Sequence, residues 1–183
     1  MIREVDLMST SKMFFAGTGG QGVLLMGQMV TNAAMFDGKE STFFPSYGPE
    51  MRGGTANCTV VVSDRTVSCP FIYEADVVVA MNLPSLIKFE PLLHPGCVLL
   101  LNKSLIDKKA ARTDITVHEV PANDLAGELG NVLVANMIML GAFVRATNIV
   151  TEASIEKAIN LVMGAKKAEL LDLNIKAYEL WKQ

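Results

Sequence analysis

Apolar and polar positions along this chain follow two rhythms, and each switch between them marks an element. Met13 to Ala16 is an apolar run that reads as a first strand, with Gly17 to Gly22 as the turn after it. Val23, Met26, Gly27, Val30 and Ala34 then recur at helical spacing, which predicts a helix from Val23 to Phe36 stopped by Gly38. Ser41 to Phe44 predicts a short second strand broken by Pro45. Thr55 to Ser63 is β-branched and apolar. With Ser63-Asp64-Arg65 as a turn and Thr66 to Cys69 as a return, it predicts an antiparallel hairpin.

Ala75 to Met81 reads as a buried central strand. A helix opens at Asn82-Leu83-Pro84, carries Leu86, Phe89 and Leu93, and is disturbed at its end by Pro91. Cys97 to Leu101 and Ile115 to Val120 read as further strands. From Ala122 onward the pattern turns helical. Asn123 caps a short helix through Leu129, Asn131 opens an apolar one through Thr147, and Thr151 caps one through Met163. Ala165 to Trp181 is amphipathic, with Leu171, Ile175, Tyr178 and Trp181 down one side. The whole predicts an α/β fold: one three-layer α/β/α domain spanning residues 1–183, its sheet mixed but mostly parallel, with a helical C-terminal segment.

Composition sharpens this picture. In 183 residues, half are apolar, and the mean hydropathy is +0.33. No apolar run approaches the roughly 20 residues of a membrane span. A sheet buried on both faces accounts for part of the excess, and a subunit interface for the rest. The net charge of −3 argues against nucleic-acid binding, which carries a basic footprint. Met1 to Lys12 lacks the apolar core of a signal peptide, so a cytoplasmic location is expected. Cys58, Cys69 and Cys97 form no CxxC, and His94 and His118 have no ligand-like spacing. No metal or cluster site is therefore expected in this chain.

Two glycine-rich stretches hold the candidate chemistry. Gly17, Gly19 and Gly22 spell GxGxxG between a strand and a helix, where bare amides and the helix dipole favour an anion. A dinucleotide site also needs an acidic residue at the end of the second strand. Asp37 and Glu40 fall before that strand, so this reading is weak. Gln21 can bond a neighbouring loop, which is a structural role. The second stretch, Ser46 to Gly54, sets Tyr47, Glu50 and Arg52 among Gly48, Gly53 and Gly54. Arg52 can clamp a phosphate or carboxylate, or pair with Glu50. Tyr47 can stack on a base or simply pack. Asn136 in the apolar helix can bond toward the sheet ends, and Asn57 and Asn82 fall where turn capping is expected. No nucleophile–base pair, HExxH or Walker lysine is present.

At these residues the chain resembles a known family. Gly17 to Val23, Pro45 to Asn57 (Pro-Ser-Tyr-Gly-Pro-Glu-Met-Arg-Gly-Gly-Thr-Ala-Asn), Ala80 to Ser85, and Val134 to Met137 with Leu140-Gly141 resemble the gamma subunit of 2-oxoacid:ferredoxin oxidoreductases. The resemblance runs from Met13 to Met163. It implies a subunit, inactive alone, of an enzyme that converts a 2-oxoacid and coenzyme A (CoA) to acyl-CoA and carbon dioxide, reducing ferredoxin. A short stand-alone gamma chain looks most like the 2-oxoglutarate enzyme; the pyruvate and branched-chain enzymes share the motifs.

The resemblance also implies alpha and beta partner subunits, with delta as a further candidate. Thiamine diphosphate, Mg2+ and iron–sulfur clusters are expected in those partners, and CoA as co-substrate. Gly17, Gly19, Gly20, Gln21, Gly22, Ser46, Tyr47, Gly48, Glu50, Arg52, Gly53 and Gly54 are then the candidates for facing CoA or a partner, with no catalytic residue assigned. Two competing readings are a purely structural subunit of the same complex and an independent nucleotide-binding module. Exposed apolar surface meant for partners also leads us to expect homodimers of the isolated chain.

Overall fold

The computed structural model describes residues 10–47, 55–67, 69–163 and 168–181. In chain order the elements are β1 (Thr10–Thr18), α1 (Val23–Phe36), β2 (Glu40–Tyr47), β3 (Thr55–Ser63), β4 (Ala75–Ala80), α2 (Leu83–Phe89), β5 (Leu93–Asn102), β6 (Thr116–Val120), α3 (Ala122–Glu128), α4 (Ala135–Thr147), α5 (Glu152–Met163) and α6 (Ala168–Leu180). The strands form one sheet in the order β2-β3-β1-β4-β5-β6. β1, β4, β5 and β6 run parallel, and β3 is antiparallel to both β1 and β2. The sheet is mixed, as the sequence predicts.

Side chains of β1 alternate between two cores, as a strand buried on both faces requires. Met13 and Phe15 point into the larger one, with α1, α3, α4, α5 and α6. Phe14 and Ala16 point into the smaller one, with Leu86 and Phe89 of α2 and Ile106. Among the described residues the layers are therefore uneven, with α1, α3, α4, α5 and α6 on one face and α2 on the other. Two glycines set the closest approaches on the crowded face. A Cβ on Gly27 would stand 2.5 Å from Cys58 Sγ, so α1 lies directly on β3. One on Gly141 would overlap the Tyr178 carbonyl, so α4 and α6 meet backbone to backbone.

Asp37 ties the end of α1 to the start of α5. Its carboxylate accepts from Thr151 N (2.8 Å), Thr151 Oγ1 (2.7 Å) and Ser154 Oγ (2.6 Å). Burial acts to raise its pKa, but these hydrogen bonds, with Lys39 nearby, leave it below the usual aspartate value. Among the described residues no helix is long and apolar enough to cross a membrane.

Several sequence expectations are corrected. β2 does not stop at Phe44 but runs through Pro45 to Tyr47. It lies at the sheet edge, where a missing N–H can face away from β3. Thr66, Val67 and Cys69 form no return strand. Both edges of β3 are already taken by β1 and β2, so no hairpin partner fits there. Leu93 belongs to β5 rather than to the helix before it, because a 3-10 turn at Glu90–Leu92 ends the helical path at Pro91. Asn57 caps no turn; it sits inside β3, paired with Ala16 and Ser46. Asn123 is not the cap of α3 but lies within it, after Pro121. Asn131 caps a separate 3-10 turn, Val132–Val134, through Leu133 N (3.0 Å), and α4 begins only at Ala135.

Candidate functional site

The carboxyl ends of β1 and β4 are where the chain changes direction across the sheet. From β1 it passes through α1 toward β2; from β4 it passes through α2 toward β5, on the other side. Open α/β sheets hold ligands in the crevice at such a point. Here the glycine turn occupies it. β1 ends at Thr18, and Gln21 N bonds back to Thr18 O at 3.1 Å. Gly20 and Gly22 have φ of 99° and 71°, a region that a side chain strains. Gly22 precedes α1 without a side-chain cap, and the first turn of α1 carries no acidic residue. Among the described residues, no side chain caps the leading amides of this 14-residue helix, the end where its dipole is positive.

Gln21 braces this turn. Its Oε1 accepts from Thr18 N (2.7 Å), Thr18 Oγ1 (3.0 Å) and Asn82 Nδ2 (3.4 Å), while its Nε2 donates to Met81 O (3.2 Å). Gly17 makes room for it: a Cβ there would stand 2.7 Å from Gln21 Oε1. Asn82 in turn caps α2, accepting from Ser85 N at 2.9 Å, as the sequence predicts. Met81 O also accepts from Asn102 Nδ2 (3.4 Å), whose other bond goes to Asn123 Oδ1 (2.7 Å). Four carboxamides, Gln21, Asn82, Asn102 and Asn123, therefore lace together the ends of β1, β4 and β5 and the start of α3. Sequence reasoning missed Asn102 and the cross-link. A carboxamide directly after a buried apolar strand, as in Leu101-Asn102, is the signal that could have found it.

Beside this network lies a recess of about 170 Å3. Gly20 and Gln21 form one wall, Asn123 and Asn136 another, and Val132 and Leu133 the lip. None of the described lining residues is charged or titratable. Asn136 sits in the first turn of α4, and a Cβ on Gly22 would lie 2.5 Å from its Nδ2. The starts of α1 and α4 therefore converge on the same space.

The second glycine stretch is only partly in view. Gly48, Glu50, Arg52, Gly53 and Gly54 lie outside the described residues. Ser46 is exposed near the end of β2, opposite Asn57. The pairing locates the two ends of this stretch: Tyr47 faces Ala56, Gly17 also faces Ala56, and Thr18 faces Thr55. Both glycine stretches thus leave the sheet at one corner. Among the described residues, no group of three or more His, Cys, Asp or Glu is placed to hold a metal ion. Cys58 is buried, and burial pushes its thiol up to about 12. The site can bind and orient; the described residues assemble no nucleophile–base pair.

Comparison with known proteins gives a consistent picture. Residues 12–180 match the family model described as pyruvate ferredoxin/flavodoxin oxidoreductase. The chain is 36% identical over 173 residues to 2-oxoglutarate synthase subunit KorC of Methanocaldococcus jannaschii, covering 92% of each. It is 37% identical over 166 residues to ketoisovalerate oxidoreductase subunit VorA of Methanothermobacter marburgensis, covering 90% of this chain and 34% of that longer one. Among solved structures, the keto/oxoacid ferredoxin oxidoreductase gamma subunit of Geobacter sulfurreducens superposes with a TM-score of 0.78 at 30% identity, covering 93% of this chain and 95% of that one.

Proposed function

The chain belongs to the pyruvate ferredoxin/flavodoxin oxidoreductase family, and on that premise we propose that residues 1–183 form the single-domain gamma subunit of a multisubunit 2-oxoacid:ferredoxin oxidoreductase. The complex oxidatively decarboxylates a 2-oxoacid. The carboxylate leaves as carbon dioxide, the acyl carbon joins the CoA sulfur in place of its proton, and the electron pair passes to ferredoxin. We assign 2-oxoglutarate as the substrate. The similarity to a 2-oxoglutarate synthase subunit over 92% of both chains favours it; a branched-chain 2-oxoacid, favoured by the ketoisovalerate relative, is the second reading.

Thiamine diphosphate, Mg2+ and iron–sulfur clusters belong in this reading to the alpha and beta subunits, with delta where present. Cys58, Cys69 and Cys97 suit no cluster, since Cys58 is buried against α1, Cys69 lies in the connection between β3 and β4, and Cys97 lies in β5. The contribution of this chain is to bind and orient. The observation that carries it is the meeting of two glycine stretches at one corner of the sheet, beside a helix start with no acidic residue and no side-chain cap. We place CoA or a partner subunit against Gly17, Gly19, Gly20, Gln21, Gly22 and Ser46 to Gly54, with Arg52 as a phosphate ligand. A cytoplasmic location, dependence on partners for activity and weak homodimers of the isolated chain complete the proposal.

The test is recovery of the tagged native chain, followed by assay with several 2-oxoacids, CoA and a viologen acceptor. Co-purifying thiamine- and cluster-bearing partners with CoA-dependent reduction of the viologen support the subunit reading and identify the substrate. A chain that emerges alone and binds a nucleotide overturns it. In the intact complex, Arg52→Ala should raise KM for CoA about tenfold, the lower range for loss of a hydrogen bond to a charged group. An unchanged KM removes Arg52 from the CoA site.

A further inference from the structure

Two consecutive apolar side chains stand outward on the rim of the recess. Val132 is 57% exposed and Leu133 is 75% exposed, and both line the recess together with Gly20 and Gln21. Single exposed apolar residues are ordinary on a protein surface, but the backbone beneath these two is tied down. At the end of α3, Gly130 (φ 80°) donates its N–H to Gly127 O (2.9 Å), and Asn131 N donates to Ala126 O (3.0 Å). Asn131 Oδ1 then accepts from Leu133 N (3.0 Å), and Val134 N donates to Asn131 O (3.2 Å). Val134 and Ala135, both buried, hold the far side. The turn Val132–Val134 is therefore set before anything docks on it, which spares the ordering cost of binding.

The rim continues away from the recess. α6 packs against the same turn, and its last residue, Leu180, is 40% exposed. A groove of about 390 Å3 lies there between Leu129, Lys176, Glu179 and Leu180. Leu133, Val132, Leu129 and Leu180 border the space from the mouth of the recess to the end of α6.

The recess itself says which neighbour this border suits. Among the described residues its lining is uncharged, and no nucleophile–base pair or metal-binding group is assembled. A second copy of this chain would bring the same residues and complete nothing. A subunit of different sequence that supplies the reacting groups has to close over the recess, and Val132 and Leu133 stand where it must close. In the ketoisovalerate relative the matching stretch is 34% of a longer chain, so the domain is covalently joined there to more protein. A separate chain has to hold its neighbour through its surface alone, and apolar contacts dominate interfaces of that obligate kind.

We infer that the turn Val132–Val134 is the anchor on which the partner subunit supplying the reacting groups seats, with Leu133 entering an apolar pocket of that subunit and Val132, Leu129 and Leu180 covered around it. The inference rests on the proposed subunit function. It adds a protein contact that lies outside the two glycine stretches.

The test titrates partner subunits, prepared without this chain, into the full native chain, Leu133→Asp and Leu161→Asp, and reads CoA-dependent reduction of a viologen. Leu161 on α5 is 61% exposed and borders neither the recess nor the groove, so it is the control. Both leucines are at the surface, so each isolated variant should melt within about 2 °C of the native chain. For Leu133→Asp the half-saturating partner concentration should rise about tenfold or more, as for loss of an interface anchor, while the plateau rate and the KM for CoA stay within about twofold. Leu161→Asp should titrate as the native chain does. A benzophenone amino acid in place of Leu133 should cross-link, on irradiation of the assembled complex, to the partner subunit. Leu133→Ser, run in parallel, gives the same reading should the aspartate variant fail to fold.

An unchanged half-saturation for the Leu133 variants, an equal rise for Leu161→Asp, or a cross-link to a second copy of this chain overturns the inference and leaves the subunit reading standing. A higher KM for CoA at unchanged half-saturation assigns the lip to the ligand and also overturns it. A native chain that gives no CoA-dependent rate with any partner overturns the subunit reading, and this inference with it.

Discussion

Gly141 on α4 and the carbonyl of Tyr178 on α6 touch through their backbones, with no room for a methyl group between them. The same oxygen accepts from Arg145 Nη1 at 2.9 Å, and Arg145 also reaches Trp181 O at 2.8 Å. A side chain on Gly141 would have to push the last helix away and break these bonds. Gly141→Ala should therefore destabilise the chain by about 1–3 kcal/mol or more, the cost of overpacking a core. Calorimetry should show a melting point lower by roughly 2–4 °C per kcal/mol. Gly127→Ala is the control. It lies in α3 with nothing within 4 Å of its would-be Cβ, so it should be stabilising by about 0.4–1 kcal/mol.

Gln21 joins turns that lie 60 residues apart, through the bond from its Nε2 to Met81 O. Gln21→Leu removes the partner of the half-buried Thr18 N and should cost about 0.5–1.5 kcal/mol, the net worth of a typical hydrogen bond. Gln21→Glu is the sharper variant. Its carboxylate still accepts from Thr18 and Asn82 but opposes Met81 O with a charge. We expect it to be less stable than the native chain at neutral pH and to recover part of the loss on mild acidification, measured by urea unfolding at several pH values.

Asp37 gives the acid limb of stability a specific source. Its folded pKa lies below the usual aspartate value, so the unfolded chain takes up the proton first as pH falls. Its contribution is complete above the unfolded value of about 3.9 and is lost as pH drops through the folded one. The stability gap between the native chain and Asp37→Ala should be flat from about pH 5 upward and close at lower pH. A gap that widens on acidification would contradict this assignment.

The cysteines should separate cleanly in a labelling experiment. Cys69 is exposed and should react first with iodoacetamide. Cys97 is half-buried, and burial, with Asp76 beside it, raises its pKa, so it should follow more slowly. Cys58, pushed up to about 12 by burial, should react only on unfolding. Mass spectrometry of a time course in native buffer and in denaturant reads all three.

Much of the frame was legible in the sequence because its signals are local. The helix predicted from Val23 to Phe36 is α1 residue for residue, since a glycine turn, helical spacing and Gly38 all act within a few positions. Asn82 and Pro84 mark the start of α2 for the same reason. What escaped depends on neighbours distant in sequence. Pro45 ends a strand only if that strand is central, and β2 is an edge. Thr66, Val67 and Cys69 have a strand's composition, but β3, the strand they would pair with, already has β1 and β2 on its two edges. At the candidate site, Gly20 and Gly22 were legible as turn glycines. The laced carboxamides were not, because Gln21, Asn82, Asn102 and Asn123 meet only once the sheet is assembled. Asn136 was visible as a buried asparagine; that it faces Gly22 is a property of how α4 packs beside α1.

Pro45 has a consequence for life in a crowded assembly. A chain built to associate with others carries the hazard of associating with itself without limit, and open sheet edges are where such polymers start. β2 meets that hazard with a proline in its outward ladder, and the opposite edge, β6, is only five residues long with Glu119 held by Lys103 at 3.3 Å. Neither border offers another strand a long, regular template. Growth into fibrils is discouraged at both sides of the sheet.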